Sequence, residues 1–249
     1  MCLIVVGWRV HPQYPLVVAA NRDEFHARPS ATIARWAEAP QVIGGRDLEA
    51  GGTWLGITDS GRFAAVTNVR EPARPKGERS RGALTRDFLM SSQPALDYAA
   101  AIDGPRYSGY NLLLADGESL VYGSNRDGSP RRLAPGVYGL SNHLLDSPWP
   151  KLVAARQQFA DALPSLPDET AFFELLADPS IVPDENLPDT GVPIAWERLL
   201  SAIFVNSEAY GTRASTVAWQ RIDGAVAIHE KSFDPNGSLV QSSVISTAV

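Results

Sequence analysis

Two features of the sequence could support covalent chemistry: the single cysteine, Cys2, and the polar run Asn-Arg-Asp-Glu at positions 21–24. An initiator methionine is usually trimmed before a residue as small as cysteine. Removal of Met1 would leave Cys2 with a thiol and its own α-amine, a base that titrates near ~8. In such a site the amine accepts the proton while the side chain attacks a carbonyl carbon, so the pattern predicts an N-terminal nucleophile.

An N-terminal thiol needs supporting groups, and the sequence offers a candidate for each. Arg22 could lower the thiol pKa, Asp23 could hold the amine, and the side-chain amides of Asn68 and Asn142 could donate to an oxyanion. Simpler interpretations stay open beside this one. A lone cysteine in an apolar strand is usually a small buried hydrophobe, and the run at 21–24 could be a helix cap or a surface ion pair.

The first predicted hairpin brings these groups together. β-Branched runs at 2–7 and 16–20 flank the turn sequence HPQYP, which predicts two antiparallel strands around a turn centred near Pro12. Paired positions in that hairpin sum to about 24. Cys2 is therefore predicted to lie opposite Arg22, within two residues.

A second hairpin is predicted from strands 54–58 and 63–68 around the turn DSGR, and it would pair Thr53 with Asn68. The order of strands, then helices, then strands favours an α+β fold with antiparallel sheets over a doubly wound parallel sheet. The other predicted elements are helices at 82–90, 147–163 (capped by Ser147), 171–176 and 196–203, and strands at 111–115, 120–122, 137–140, 215–221, 226–231 and 240–245.

Composition narrows the class of protein. The 249 residues are 44% hydrophobic and 20% charged with a net charge of -6, which is typical of a globular chain and argues against nucleic-acid or anionic-membrane binding. We expect one domain over residues 1–249. No apolar stretch reaches the roughly 18 residues of a membrane span. The N-terminus has no signal-peptide pattern, so we expect a cytoplasmic protein.

Other patterns offer little chemistry. One cysteine excludes an internal disulfide and a cysteine-based zinc site, and the four histidines show no metal-ligand spacing. Motifs such as GxSxG, HExxH and GxGxxG are absent. The segment VREPARPKGERSRG could receive an anionic ligand group, although most such runs are solvated. Its basic residues are Arg70, Arg74, Lys76, Arg79 and Arg81.

Eight stretches, spread over nearly the whole chain, together resemble the NRDE family, also called the transport and Golgi organisation protein 2 family. They are MCLIVV, ANRDEF, GGRDLEAGGTWLGI, VTNVREP, YNLLLAD, YGLSN, LPDTGV and SAIFVNSEAYGTRASTV. The resemblance implies an N-terminal-nucleophile hydrolase-like fold, an αββα four-layer sandwich of two antiparallel sheets. Members of the family are linked to haem trafficking and to secretory or mitochondrial homeostasis, and their catalytic role is an inference from the fold.

The implied fold also contains cysteine amidases of the bile-salt-hydrolase and penicillin-V-acylase type. These use an N-terminal cysteine, an arginine and an aspartate after the second strand, two asparagines and a late arginine. The resemblance implies that the matching catalytic positions are Cys2, Arg22, Asp23, Asn68, Asn142 and Arg213. Predicted substrate contacts are Asn21, Trp54, His143 and Tyr210.

The leading hypothesis is an amidohydrolase that cleaves a non-peptide C–N bond of a small acylated substrate and needs no cofactor or metal. The alternative is a non-catalytic haem-binding or haem-trafficking protein, in which Cys2, His143 or Tyr210 would be the axial ligand. A scaffold for a protein partner is a third possibility. The sequence offers no coiled coil, repeat or peptide groove for it.

Overall fold

The computed structural model describes residues 2–75 and 77–247, apart from the side chain of Cys2. Within these residues the strands form two antiparallel sheets. The first sheet has the spatial order β10 (Gly136–Leu140), β1 (Cys2–Trp8), β2 (Leu16–Phe25), β11 (Tyr210–Gln220), β12 (Val226–Phe233), β13 (Leu239–Ser246). The second has the order β3 (Ser30–Trp36), β4 (Ala39–Asp47), β5 (Leu55–Thr58), β6 (Phe63–Asn68), β7 (Tyr110–Ala115), β8 (Leu120–Ser124), β9 (Arg131–Leu133).

Helices cover the outer face of each sheet. α1 (Gly82–Leu89) and α2 (Ala95–Ala100) pack on the second sheet, and α3 (Pro150–Ala162) and α4 (Thr170–Leu176) pack on the first. A fifth helix, α5 (Ile194–Leu199), follows a proline-containing segment. Short 3₁₀ turns occupy Gly104–Arg106, Leu163–Ser165 and Asp184–Asn186. None of the helices in the described part of the chain is long and apolar enough to span a membrane.

The period-two alternation of side chains produces the layers. In β1, Ile4 and Val6 pack between the two sheets, whereas Leu3 and Val5 pack against α3 and α4. A third apolar cluster, which includes Phe88, joins the second sheet to α1 and α2. The central strands are buried on both faces and read as nearly continuous apolar runs, as in β2, β5, β7 and β8, whereas the edge strands β9 and β13 are largely exposed. The predicted α+β class and αββα sandwich are confirmed.

The first predicted hairpin is confirmed in its register, since Cys2 pairs with Arg22. The second differs by one residue. Leu55 pairs with Ala65, so Asn68 has no partner on β5 and pairs instead with Tyr110 of β7.

The second hairpin is shorter than predicted because the segment before β5 docks on α1. The Thr53 N–H donates to the Gly82 carbonyl at 3.2 Å. A Cβ added at Gly52 would lie 2.4 Å from the Gly82 carbonyl carbon, so this close approach requires glycine.

Two further expectations about local structure were incomplete. The sequence does not predict strands β3 and β4. Register shifts interrupt their pairing, so apolar and polar residues do not alternate regularly along them. The predicted cap at Ser147 is wrong: α3 begins at Pro150 with Trp149 at the N-cap position. The Ser147 hydroxyl donates instead to the Leu144 carbonyl at 2.7 Å.

Candidate active site

A cleft of about 150 Å³ opens where β2 ends, and four of the predicted site residues line it. These are Arg22, Asp23, Trp54 and Asn68. The remaining lining residues are Glu24, Arg28, Asp47, Thr53, Val66, Thr67, Ser80, Arg81 and Gly82. Both sheets and the start of α1 therefore contribute to one polar depression next to the backbone position of Cys2.

The Arg22 side chain is only 5% exposed and lies between the sheets. Its guanidinium carbon is 4.2 Å from the centre of the Trp54 ring, a cation–π contact. Nη1 donates to Ser30 Oγ at 3.4 Å, and Nη2 lies 4.0 Å from Glu24 Oε2. The indole fits because a Cβ at Gly45 would lie 2.3 Å from it. Arg22 is therefore a fixed, desolvated cation opposite Cys2 in the strand register.

Asp23 is buried beside Arg22 and is held at both its side chain and its backbone. Its Oδ1 accepts a hydrogen bond from the Thr212 hydroxyl at 2.7 Å, and its carbonyl accepts one from Tyr210 at 2.9 Å. Burial raises the pKa of the Asp23 carboxyl, while Lys151, Thr212 and Arg22 act in the opposite direction. The result is an oriented carboxyl group that is shielded from solvent.

Arg213 occupies a β-bulge between β11 and β2, where the register shifts between Thr212 and Ala214. Its Nη1 donates to the carbonyls of Phe25, His26 and Arg28 at 3.1–3.3 Å. Burial and the neighbouring Arg22 charge lower the pKa of Arg213. The bulge therefore turns this side chain to hold the segment after β2, and Arg213 does not line the cleft.

Asn68 and Asn142 lie together but occupy different positions relative to the cleft. The buried Asn142 Nδ2 donates to Asn68 Oδ1 at 3.0 Å and to the Asn68 carbonyl at 3.2 Å. Since Asn68 Oδ1 is fixed in this way, its Nδ2 is the end left for a ligand. Within the described residues, the acceptor recorded for that Nδ2 is the Val69 carbonyl at 3.5 Å. Asn68 lines the cleft, and Asn142 positions it.

Three predicted substrate contacts lie away from the cleft lining. Asn21 is buried, and its Nδ2 donates to carbonyls of Leu176 and Ile203 at 2.8 and 2.9 Å. His143 is exposed and contacts Ser147 Oγ through Nδ1 at 2.7 Å. Tyr210 is buried behind Asp23. Asn21 therefore joins β2 to the helical layer. His143 and Tyr210 do not converge on a common ligand site.

The sequence reasoning missed a group of acidic and basic side chains at the cleft wall. Arg28 Nη2 lies 2.7 Å from Asp47 Oδ2, and its Nη1 lies 3.2 Å from Glu49 Oε1. Although burial raises it, the Arg28 hydrogen bonds and the Ala50 and Glu49 N–H groups hold the pKa of Asp47 below its ordinary value. The sequence signal for this group is the GGRD stretch, which ends in Asp47.

The basic segment around residue 75 disperses in the structure. Arg74 pairs with Glu71, and Arg79 pairs with Asp87. Arg81 lines the cleft, where its Nη1 donates to the Gly109 carbonyl. Arg70 forms a buried ion pair with Glu197 and Lys76 lies outside the described residues, so Arg81 is the member of this set that faces the cleft among those described.

A buried carboxyl group links the two sheets close to the cleft. Glu230 of β12 is 2% exposed, and its Oε1 accepts a hydrogen bond from the Ile33 N–H of β3 at 3.0 Å. Its Oε2 has no hydrogen-bond partner among the described residues. Burial raises the pKa of Glu230 to about 7, although the Ile33 N–H and the Arg22 charge favour the ionised form.

We expect Glu230→Gln to change how stability depends on pH. The ordinary pKa of the glutamate is 4.5 and its folded value is about 7, so the parent loses stability as pH rises through this interval. The decrease in the free energy of unfolding reaches roughly 3 kcal/mol at high pH, and the glutamine variant does not show it because glutamine does not ionise. Urea unfolding at pH 5 and pH 8 measures the difference. The exposed Glu208→Gln is the control, and parallel pH curves for parent and Glu230→Gln would contradict the expectation.

Comparison with solved structures defines the class of fold. The chain is similar to the Caenorhabditis elegans ortholog of N-acylethanolamine-hydrolyzing acid amidase, with a TM-score of 0.55 and 16% identity over 87% of this chain and 92% of that chain. It is also similar to the C2A mutant of conjugated bile acid hydrolase from Clostridium perfringens, with a TM-score of 0.51 and 9% identity over 98% and 92% of the two chains. The fold is that of an N-terminal-nucleophile hydrolase-like sandwich.

Sequence comparison identifies the family within that class. The family model described as Transport and Golgi organisation 2 matches residues 1–235, and the chain belongs to this family. The Bos taurus Transport and Golgi organization protein 2 homolog is 38% identical over 241 residues, covering 87% of each chain. The Drosophila melanogaster Transport and Golgi organization protein 2 is 31% identical over 253 residues with the same coverage.

Proposed function

We propose that the protein is an N-terminal-cysteine amidohydrolase that cleaves a non-peptide C–N bond in a small acylated amine. The strand register that places the Cys2 backbone opposite Arg22 carries the proposal, because it sets the N-terminus beside a desolvated cation and the buried Asp23. The similar amidase is named for hydrolysis of N-acylethanolamine, and the similar bile acid hydrolase is named with a substitution at position 2. Both names support the same reaction class.

The proposed reaction uses the N-terminus after loss of Met1. The Cys2 amine takes the thiol proton, and sulfur attacks the amide carbonyl carbon. Asn68 Nδ2 donates to the oxyanion. When the C–N bond breaks, the leaving amine takes the proton from the Cys2 ammonium. Water then attacks the thioester with the amine as base, and the carboxylic acid leaves with the thiol restored.

The surrounding charges have separate tasks in this reaction. Arg22 favours the thiolate form of Cys2, since a nearby cation lowers a thiol pKa. Asp23 orients the terminal amine, and Thr212 fixes the rotamer of Asp23 through a 2.7 Å hydrogen bond. Asn142 binds Asn68 Oδ1, which leaves the Nδ2 of Asn68 to face the substrate. Arg213 positions the segment that contains Arg28.

Two measurements on untagged protein test the proposal. Intact mass gives the fraction that has lost Met1, and iodoacetamide alkylation at pH 6 gives the reactivity of the Cys2 thiol. An activated thiolate predicts faster alkylation in folded than in urea-unfolded protein, whereas a buried hydrophobe predicts the reverse. Processed protein is then incubated with N-acylated amines, and we expect amine release with an acyl adduct on Cys2. Slower alkylation in the folded state would overturn the proposal.

We expect Asn68→Ala to lower kcat by about 10²–10³-fold, the effect of removing one oxyanion donor. Alkylation of Cys2 should stay at the parental rate, because this variant leaves Arg22 and Asp23 intact. Asn142→Ala should lower kcat less, since Asn68 loses its support but keeps its amide. Steady-state kinetics of the two variants, with thermal melting as a control, separate donation from positioning. Equal decreases in kcat for the two variants would contradict the assignment of donation to Asn68 and positioning to Asn142.

A further inference from the structure

A second constellation of reactive residues lies outside the cleft, at the far edge of the first sheet. Ser242 of β13 has its Oγ 2.9 Å from His229 Nε2, and His229 Nδ1 is 3.0 Å from Glu169 Oε2. Glu169 directly precedes α4. A hydroxyl, an imidazole and a carboxylate therefore stand in hydrogen-bonded series, the arrangement that activates serine in unrelated hydrolases.

The hydrogen-bond partners of Glu169 favour one tautomer of His229. The Trp219 indole N–H, which can only donate, donates to Glu169 Oε1 at 2.7 Å. A carboxylate can accept at both oxygens, so we assign Nδ1–H of His229 as the donor to Oε2. The lone pair of Nε2 then faces the Ser242 hydroxyl, which donates to it. This tautomer is the one that a general base requires.

The imidazole is held in place and remains accessible. Its ring packs edge-on against Phe173, with centroids 4.6 Å apart. The side chains of His229 and Glu169 are 19% and 17% exposed, so the pair is desolvated but reachable. A groove of about 500 Å³ lies against His229 and Lys231, with Phe173 and Ala177 on its apolar side. Ser242 itself is exposed.

Groups able to stabilise an oxyanion flank Ser242. Lys231 is its direct partner across β12 and β13, so the two side chains share a face, and the Lys231 ammonium rests 4.1 Å from the Phe173 ring centre. The Thr247 N–H donates to the Val226 carbonyl. Hydrogen-bonded pairs alternate along an antiparallel ladder, so the Ser242 N–H points away from β12 toward the open edge of the sheet.

We propose that Ser242, His229 and Glu169 form an esterase site that is independent of Cys2. Ser242 Oγ attacks an ester carbonyl carbon while its proton passes to His229 Nε2. The C–O bond to the alcohol breaks, and the departing alcohol takes that proton from His229. Water then attacks the acyl-serine with His229 as base. The products are a carboxylic acid and free Ser242, and Glu169 stabilises the imidazolium in both halves of the reaction.

The groove beside His229 and Lys231 indicates the class of ester, with Ser242 outside its lining. Phe173, Ala177 and Pro167 offer a small apolar surface for a short acyl chain. Asp168 and Glu174 also line the groove and would repel an anionic alcohol group. The site is therefore suited to short-chain acyl esters of neutral or cationic alcohols.

A fluorophosphonate probe tests this site, because it phosphonylates an activated serine and releases fluoride. The experiment uses full-length Cys2→Ala protein, so the N-terminal thiol cannot contribute. Peptide mass spectrometry should map one adduct to Ser242, and hydrolysis of p-nitrophenyl acetate should fall when that adduct forms. His229→Asn keeps an N–H near Glu169 but removes Nε2, and it should lower the labelling rate at least about 100-fold.

Matched variants make the result decisive. Ser246 lies on the same face of β13 as Ser242 and supplies the control. Ser246→Ala should be labelled like the parent, whereas Ser242→Ala should not be labelled. Absence of a Ser242 adduct in folded protein, or an unchanged rate in His229→Asn, would overturn the proposal. Melting curves of all variants identify any that fail to fold.

Discussion

Cys2→Ala is expected to abolish hydrolysis of acylated amines, with a loss of about 10⁴-fold or more in kcat. The variant keeps a small second residue, so we expect Met1 to be removed to the same extent as in the parent, which would leave the terminal amine in place. It lacks the sulfur that would form the acyl intermediate in the proposed reaction. Mass spectrometry should therefore show no acyl adduct at residue 2, and thermal unfolding should stay close to that of the parent.

Two matched variants separate the thiol from the amine in this prediction. Cys2→Ser keeps the terminal amine but replaces the thiol with a hydroxyl, which is a weaker nucleophile. We expect it to react slowly, but faster than Cys2→Ala. A form extended before Cys2, with the cysteine unchanged, keeps the thiol but locks the nitrogen in a peptide bond. It should lose activity too. Full activity in the extended form would contradict the amine as base, and full activity in Cys2→Ala would end the proposed chemistry.

The sequence predicted the part of the site that depends on local pairing. The centre of the connection between β1 and β2 fixes the register of this hairpin, so the pairing of Cys2 with Arg22 follows from counting residues around Pro12. Period two along β2 then decides which face each side chain takes, which places Arg22 against Trp54 between the sheets while Asn21 faces the helices. Such rules need only neighbouring strands.

The remaining parts of the site depend on contacts between distant segments. Thr212 reaches Asp23 across β11 and β2, and the bulge beside it turns Arg213 to the carbonyls after β2. A bulge adds one residue to a strand, and the sequence GTR does not reveal it. Asn142 likewise supports Asn68 from 74 positions away in the chain. Sequence reasoning assigned both asparagines to the same task.

The LPDTGV stretch gains a structural role from one such distant contact. Arg70 Nη1 lies 2.6 Å from Glu197 Oε2, and both side chains are 4% exposed. The Thr190 N–H donates to Glu197 Oε1 at 2.9 Å, and its hydroxyl binds the same oxygen. Burial lowers the pKa of the Arg70 guanidinium, and Glu197 opposes that effect. The ion pair therefore fastens the segment around Thr190 beside the strand that ends in Asn68.

Glu197→Gln is expected to destabilise the protein by about 3–5 kcal/mol, because it leaves the Arg70 charge buried without its carboxylate. The next residue supplies the control. Arg198 pairs with Asp184 on the surface, with side chains 48% and 52% exposed, and Arg198→Gln should leave stability close to that of the parent. Urea unfolding of both variants measures the two free energies.

A double variant decides whether the cost comes from an unpaired charge or from lost packing. Arg70→Met with Glu197→Met removes both charges and fills similar volume, so it should recover most of the stability lost in Glu197→Gln. The stability that the double variant still lacks should be confined to the segment around Thr190, whose N–H and hydroxyl would have no carboxylate to bind. Limited proteolysis should then cut near residues 187–192 earlier than in the parent. A double variant less stable than Glu197→Gln would show that the ion pair stabilises the fold through its own attraction, against this expectation.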